Sequence, residues 1–103
     1  MSPTQRSLKL LREDEGMFAE VVEKWIPGAN IRKDLFGCWD IASVGKGRFW
    51  LIQTTTLQNI GPRVEKVAKS DITPELRKAG IGLFIHGWRK LKTGWEAKII
   101  DVS

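Results

Sequence analysis

The sequence predicts a single mixed α/β domain in which a helix precedes three meandering strands and a helical crossover returns the chain to further strands. Three observations carry this. Apolar residues recur at helical spacing through the first 25 positions, at Leu8, Leu11, Phe18, Val22 and Trp25. Two strand-like runs, "CWDIASV" and "RFWLIQTTT", flank the tight turn Gly45-Lys46-Gly47. A helical pattern then separates them from the apolar run "IGLFIHGW". A crossover of that kind makes at least one strand pair parallel and the connection right-handed.

The elements follow in order. Ser2 is placed to cap a helix, Pro3 suits its first position, and Gln5 can reach back as in a capping box. Pro27 and Gly28 stop that helix. "NIRKDLF" reads as a short edge-like strand over Ile31 to Phe36, and Gly37 permits a bend. Cys38 to Val44 alternates as a strand, and Arg48 to Thr56, the most apolar and β-branched run, reads as the central one. "NIGPRVEKVAKS" is a helix with Pro62 at its first position, and "DITPELRKAG" a shorter one with Thr73 as cap and Gly80 past its end. "IGLFIHGW" and "WEAKIIDVS" are the last strands. The expected order is α–β–β–β–α–β–β, with a short helical turn before the fourth strand, in one domain over residues 1–103.

Composition narrows the function. With 42% hydrophobic and 28% charged residues the chain is that of a globular protein. No apolar run approaches the ~20 residues that cross a bilayer, and the start, "MSPTQRSLKLL", lacks the apolar core of a signal peptide. The single cysteine, Cys38, has no internal disulfide partner, and with one histidine it argues against zinc. A reducing cytoplasm is the expected home. The net charge of +5 favours polyanionic partners, nucleic acid first.

Three polar residues break apolar patterns. Glu15 falls on the helical stripe between Leu11 and Phe18. Its plain reading is an edge position reaching solvent; Glu20 and Glu23 are rivals that fall off the stripe. Asp40 shares a strand face with Cys38, Ala42 and Val44, and Gln53 shares one with Leu51 and Thr55. A buried carboxylate is costly unless paired or bound to a metal. Two carboxylates and an amide carbonyl are hard oxygen ligands, suited to Mg²⁺ or Mn²⁺, which can activate water against a phosphodiester.

The pattern "DLFG" through Asp40-Ile41, then Leu51-Ile52-Gln53-Thr54-Thr55, then Asn59, Arg63 and Lys66, with the late "HGWRK", resembles the PD-(D/E)XK nuclease superfamily. It is most similar to small phage and bacterial proteins related to Holliday-junction resolvases and Mrr-type restriction endonucleases. The resemblance covers most of the chain and implies a restriction-endonuclease-like αβββαβ core that cleaves structured or branched DNA as a homodimer. It implies Asp40 as the central metal ligand, Gln53 in the place of the second acid, and Glu15 as the helix-borne acid. The superfamily's lysine position is Thr55, which holds water but supplies no cation. Lys66 is the substitute this suggests, with Arg63 and Lys33 behind it.

Trp88, beside Arg89, Lys90 and Lys92, suits a phosphate backbone and an exposed base; the plain alternative is a strand end with solvated charges. Trp25, Trp39, Trp50 and Trp95 read as packing residues, and His86 as a satisfied, partly buried histidine. The rival to a nuclease is a non-catalytic DNA-binding module that keeps the fold without the lysine, and a third reading is a small structural or accessory phage protein.

Overall fold

The computed structural model describes residues 1–29 and 31–103, and all of their side chains except those of Ile31 and Arg32. The Ser2 Oγ accepts from the Gln5 N–H at 3.2 Å and opens α1 (Pro3–Lys9) as its capping pattern predicts. The helix then widens into one π-type turn, Leu10–Asp14, closed by the Glu15 N–H on the Leu10 carbonyl at 3.0 Å.

Here the structure departs from the expected long helix. Gly16 takes a φ of +66°, a conformation that ends helices. Beyond it Phe18–Val21 is β1 and Lys24–Ile26 is β2. The positions that fit a helical stripe on paper are recruited by a neighbouring strand instead. Arg12 ties the two pieces together, its Nε and Nη2 donating to the Ala19 carbonyl at 3.1 and 2.7 Å.

β3 (Ile31–Lys33) pairs only with β2, as a separate hairpin, so the strand expected to reach Phe36 stops early; Asn30, at the start of that run, lies outside the described residues. β4 (Ile41–Gly45) and β5 (Arg48–Thr56) form the expected antiparallel pair around the glycine turn. A 3₁₀ turn at Leu57–Asn59 leads into α2 (Ile60–Lys69), which begins two residues before Pro62. α3 (Thr73–Lys78) follows, capped at Ile72 rather than Thr73; the Thr73 hydroxyl is buried and donates to the Val67 carbonyl at 2.6 Å. β6 (Gly82–Leu91) and β7 (Gly94–Asp101) complete a five-stranded sheet in the order β1-β4-β5-β6-β7. Among the described residues, only β5 and β6 pair in parallel, as the crossover requires.

The sheet is a mixed one with helices on both faces. On one, Leu8 and Leu11 pack on Ala19, Ile41 and Ile52. On the other, Val67 of α2 and Leu76 of α3 cover Trp39, Leu51, Leu83 and Ile85. Gly87 lets α2 start that close: a Cβ there would stand 2.2 Å from the Ile60 Cδ1. Among the described residues no helix is long and apolar enough to cross a membrane.

A candidate metal centre at the end of the sheet

Asp40 lies in a bend immediately before β4, not within a strand, and the bend gives it its role. Its own N–H still donates to the Ile52 carbonyl at 3.0 Å. The next ladder donor on β5, the Thr54 N–H, meets the Asp40 Oδ2 at 2.8 Å in place of a backbone carbonyl. The Thr54 hydroxyl donates to the same oxygen at 3.2 Å, and Thr4 of α1 stands behind it, Oγ1 to Oγ1 at 2.8 Å. The carboxylate thus caps the sheet where β4 and β5 part.

Two further acids are brought to it by the backbone. The Val22 N–H donates to the Asp40 carbonyl at 2.8 Å, which sets Glu23 beside the bend. Downstream, Phe36 and Gly37 are consecutive left-handed residues, with φ of 54° and 74°. A non-glycine residue in that region is uncommon. This turn lets Leu35 bridge back to Trp39 and returns Asp34 to Asp40. One oxygen from each of Glu23, Asp34 and Asp40 lies within 4.8 Å of the others. On an octahedral Mg²⁺ at ~2.1 Å, opposed ligands stand about 4.2 Å apart and adjacent ones about 3 Å, so the three oxygens would have to close together to share one ion. Pro3, Thr4, Thr54 and Arg63 complete an open cleft of about 300 Å³.

Burial pushes the Asp40 carboxyl up to about 7, and the nearby Asp34 and Glu23 charges add to the rise against the Thr54 N–H. A carboxylate deprived of water beside two others favours a proton or a cation. The donor set is all oxygen and anionic, the chemistry of Mg²⁺, Mn²⁺ or Ca²⁺.

The expected ligand set was Glu15, Asp40 and Gln53; the structure gathers Glu23, Asp34 and Asp40 instead. Glu15 lies past the π turn and lines a separate cavity with Trp50, Phe84 and His86. Gln53 shares the Leu51 face of β5, beneath α2 and α3, and is 1% exposed. Neither its Nε2 nor its Oε1 has a hydrogen-bond partner among the described residues, and nothing in the structure accounts for that. Thr55 is buried and Lys66 exposed, and neither lines the acidic cleft. Among the described residues, the cation that does is Arg63, three residues before Lys66 on α2. Lys33, Arg89, Lys90 and Lys92 are exposed. Arg89 is 3.5 Å from Glu96. Trp88 is not open to a base: it is 8% exposed, with its indole N–H donated to the Ser7 Oγ at 2.9 Å.

Glu23 was within reach of sequence reasoning as a rival to Glu15, set aside only because it left a helical stripe that Gly16 interrupts. Asp34 stands at the head of "DLFG", and the glycine of that turn was the available signal. No family model, curated protein or solved structure matches the chain.

Proposed function

We propose that this protein is a metal-dependent DNA endonuclease with a restriction-endonuclease-like core, acting on structured or branched DNA. The observation that carries the reading is the meeting of Glu23, Asp34 and Asp40 in one open cleft at the sheet end. In this reading the three carboxylates hold Mg²⁺ or Mn²⁺, which supplies water activation and charge stabilisation at phosphorus. Thr54 fixes Asp40 through two hydrogen bonds, and Arg63 takes the part of the superfamily's lysine by offsetting charge on the phosphate. The chain's net charge of +5 suits a polyanionic substrate.

A homodimer and a cytoplasmic site of action belong to the same reading. One feature favours a second copy: Phe18, Val44 and Phe49 are directly paired neighbours across β1, β4 and β5, and all three are exposed. The rival reading, a DNA-binding module without catalysis, is favoured by the burial of Thr55 and by the lack of any lysine lining the cleft among the described residues.

The deciding experiment incubates the protein with Mg²⁺ or Mn²⁺ and linear, flapped and four-way DNA. Metal-dependent nicking supports the endonuclease, salt-dependent binding without nicking supports the module, and the absence of both nicking and binding removes both readings.

A further inference from the structure

We propose that a second cleft, between α1 and the β6–β7 face, binds an unpaired nucleotide of single-stranded nucleic acid, its base against the exposed Trp95 and Ile99 and its phosphate at Arg6 and Lys9. This rests on the nucleic-acid part of the reading above and is independent of cleavage. The cleft measures about 410 Å³, within the range of pockets that take one small ligand, and includes Arg6, Lys9, Leu10, Trp88, Trp95 and Ile99 in its lining.

Its floor is set by strand register. Trp88 opposes Ala97, Lys90 opposes Trp95 and His86 opposes Ile99, and these alternate positions share one face of the sheet. Trp88 is rigid, because the Ser7 Oγ holds its N–H. Trp95 and Ile99 are 46% and 47% exposed, large apolar surfaces on an edge strand. The Arg6 guanidinium lies 3.8 Å from the Trp95 ring centroid. That stack holds the guanidinium plane in place, and no carboxylate is in ion-pair reach of it among the described residues. Lys9 lies one helical turn on and lines the same cleft, and Lys90 is the register partner of Trp95 on β6. The wall opposite is the π-type turn at Leu10–Asp14; such widened turns occur frequently at functional sites. Asp14 and Glu96 also line the cleft. Glu96 is 3.5 Å from Arg89, and Asp14 disfavours phosphate at its own end, which leaves the Arg6–Lys9 side for the anion.

Rings interleaved with cations are how proteins hold single strands, since every base has a face to stack and every nucleotide a charge. A purely apolar ligand would leave the cations unused. A paired base cannot enter, because its faces are already stacked, so single strand is favoured over duplex.

The test is fluorescence anisotropy of a labelled short oligothymidylate and of a duplex of equal length, in EDTA so that cleavage plays no part. The parent is expected to prefer the single strand and quench its tryptophan emission. Trp95→Ala and Arg6→Ala should each weaken binding roughly tenfold, and Trp95→Phe, which keeps a ring, should retain most of it. Lys78→Ala, on α3 and salt-bridged to Glu75, serves as the control and should bind as the parent. Oligothymidylate binding that needs Trp95, in a protein that Mg²⁺ does not turn into a nuclease, supports this cleft and removes the endonuclease reading. Cleavage of four-way DNA, with Trp95→Ala and Arg6→Ala both binding single strand as tightly as the parent, overturns the cleft and leaves the endonuclease reading intact.

Discussion

Asp40 and His86 are both buried titratable groups, and the difference between them lies in what surrounds each. The His86 Nδ1 lies 2.9 Å from the Ser7 Oγ, which also accepts from Trp88. Trp88 can only donate, so the serine proton is free to go to a neutral His86 with its own proton on Nε2. Burial pushes the imidazole down to about 4, and neutrality suits its hydrogen bond. Burial pushes Asp40 up to about 7 by the same physics with the opposite sign. Asp40, however, opens on a cleft beside Glu23 and Asp34, and near neutral pH it carries a charge that these neighbours oppose. The His86 Nδ1 is matched within the fold, whereas on the endonuclease reading the acid cluster is where a cation would sit.

The sharpest way to break that contrast is to remove the charge. Asp40→Asn keeps the volume and an oxygen for the Thr54 N–H, and on the endonuclease reading it should cut metal-dependent cleavage by at least about a hundredfold. Cleavage at the parent's rate would place the site elsewhere. Arg63→Ala should cost about 10²–10³ in rate, as loss of a transition-state donor does. Lys66→Ala, outside the cleft, should cost little; the reverse ranking, measured in single-turnover assays, would return the cation's role to Lys66.

A divalent cation tests that difference directly. At pH 8, saturation to 100 times Kd stabilises a protein by about 2.7 kcal/mol, and a domain of this size gains ~4–8 °C per kcal/mol. Melting curves with Mn²⁺ should show such a rise at pH 8, a much smaller one at pH 5 where Asp40 holds its proton, and none in Asp40→Asn. An equal shift at both pH values would mean the ion binds elsewhere.

The two groups also pull stability in opposite directions as pH changes. The raised Asp40 makes the folded state bind more protons than the unfolded one, so its contribution is complete below about 4 and is lost as pH rises through about 7. The lowered His86 contributes fully above 6.5 and loses that contribution as pH falls through about 4. Between about 4 and 6.5 the slopes offset each other. Asp40→Asn should expose the rising histidine slope, at most about 1.4 kcal/mol per pH unit, in urea titrations across that range. An unchanged pH profile would show that Asp40 titrates normally.

The smallest effect belongs to Gln53. Replacing its unpartnered amide by leucine should leave stability unchanged or raise it by about 1 kcal/mol, with cleavage intact. Loss of cleavage in a folded Gln53→Leu protein would instead restore Gln53 to the metal-ligand role implied by the superfamily resemblance.

Much of the fold was legible because its causes are local. Ser2 and Gln5 cap within one turn, Gly45-Lys46-Gly47 reverses the chain between alternating runs, and the helices after β5 force one parallel pair. Asp40, an acid in an apolar run, and Arg63, a cation on a helix, were picked out by pattern, and both line one cleft. The rest depended on contacts distant in sequence. Leu11, Phe18, Val22 and Trp25 fit a helix as well as they fit what forms, and pairing of β1 with β4 decided against the helix. That pairing, with the left-handed turn at Phe36 and Gly37, chose Glu23 and Asp34 as Asp40's companions over Glu15 and Gln53. Trp39 and Trp95 are the same residue in strand-like surroundings, yet one is sealed and the other open. Composition and spacing alone make a tryptophan a candidate for burial; the order of strands in the sheet decides whether anything lies over it, and β7 is at the edge.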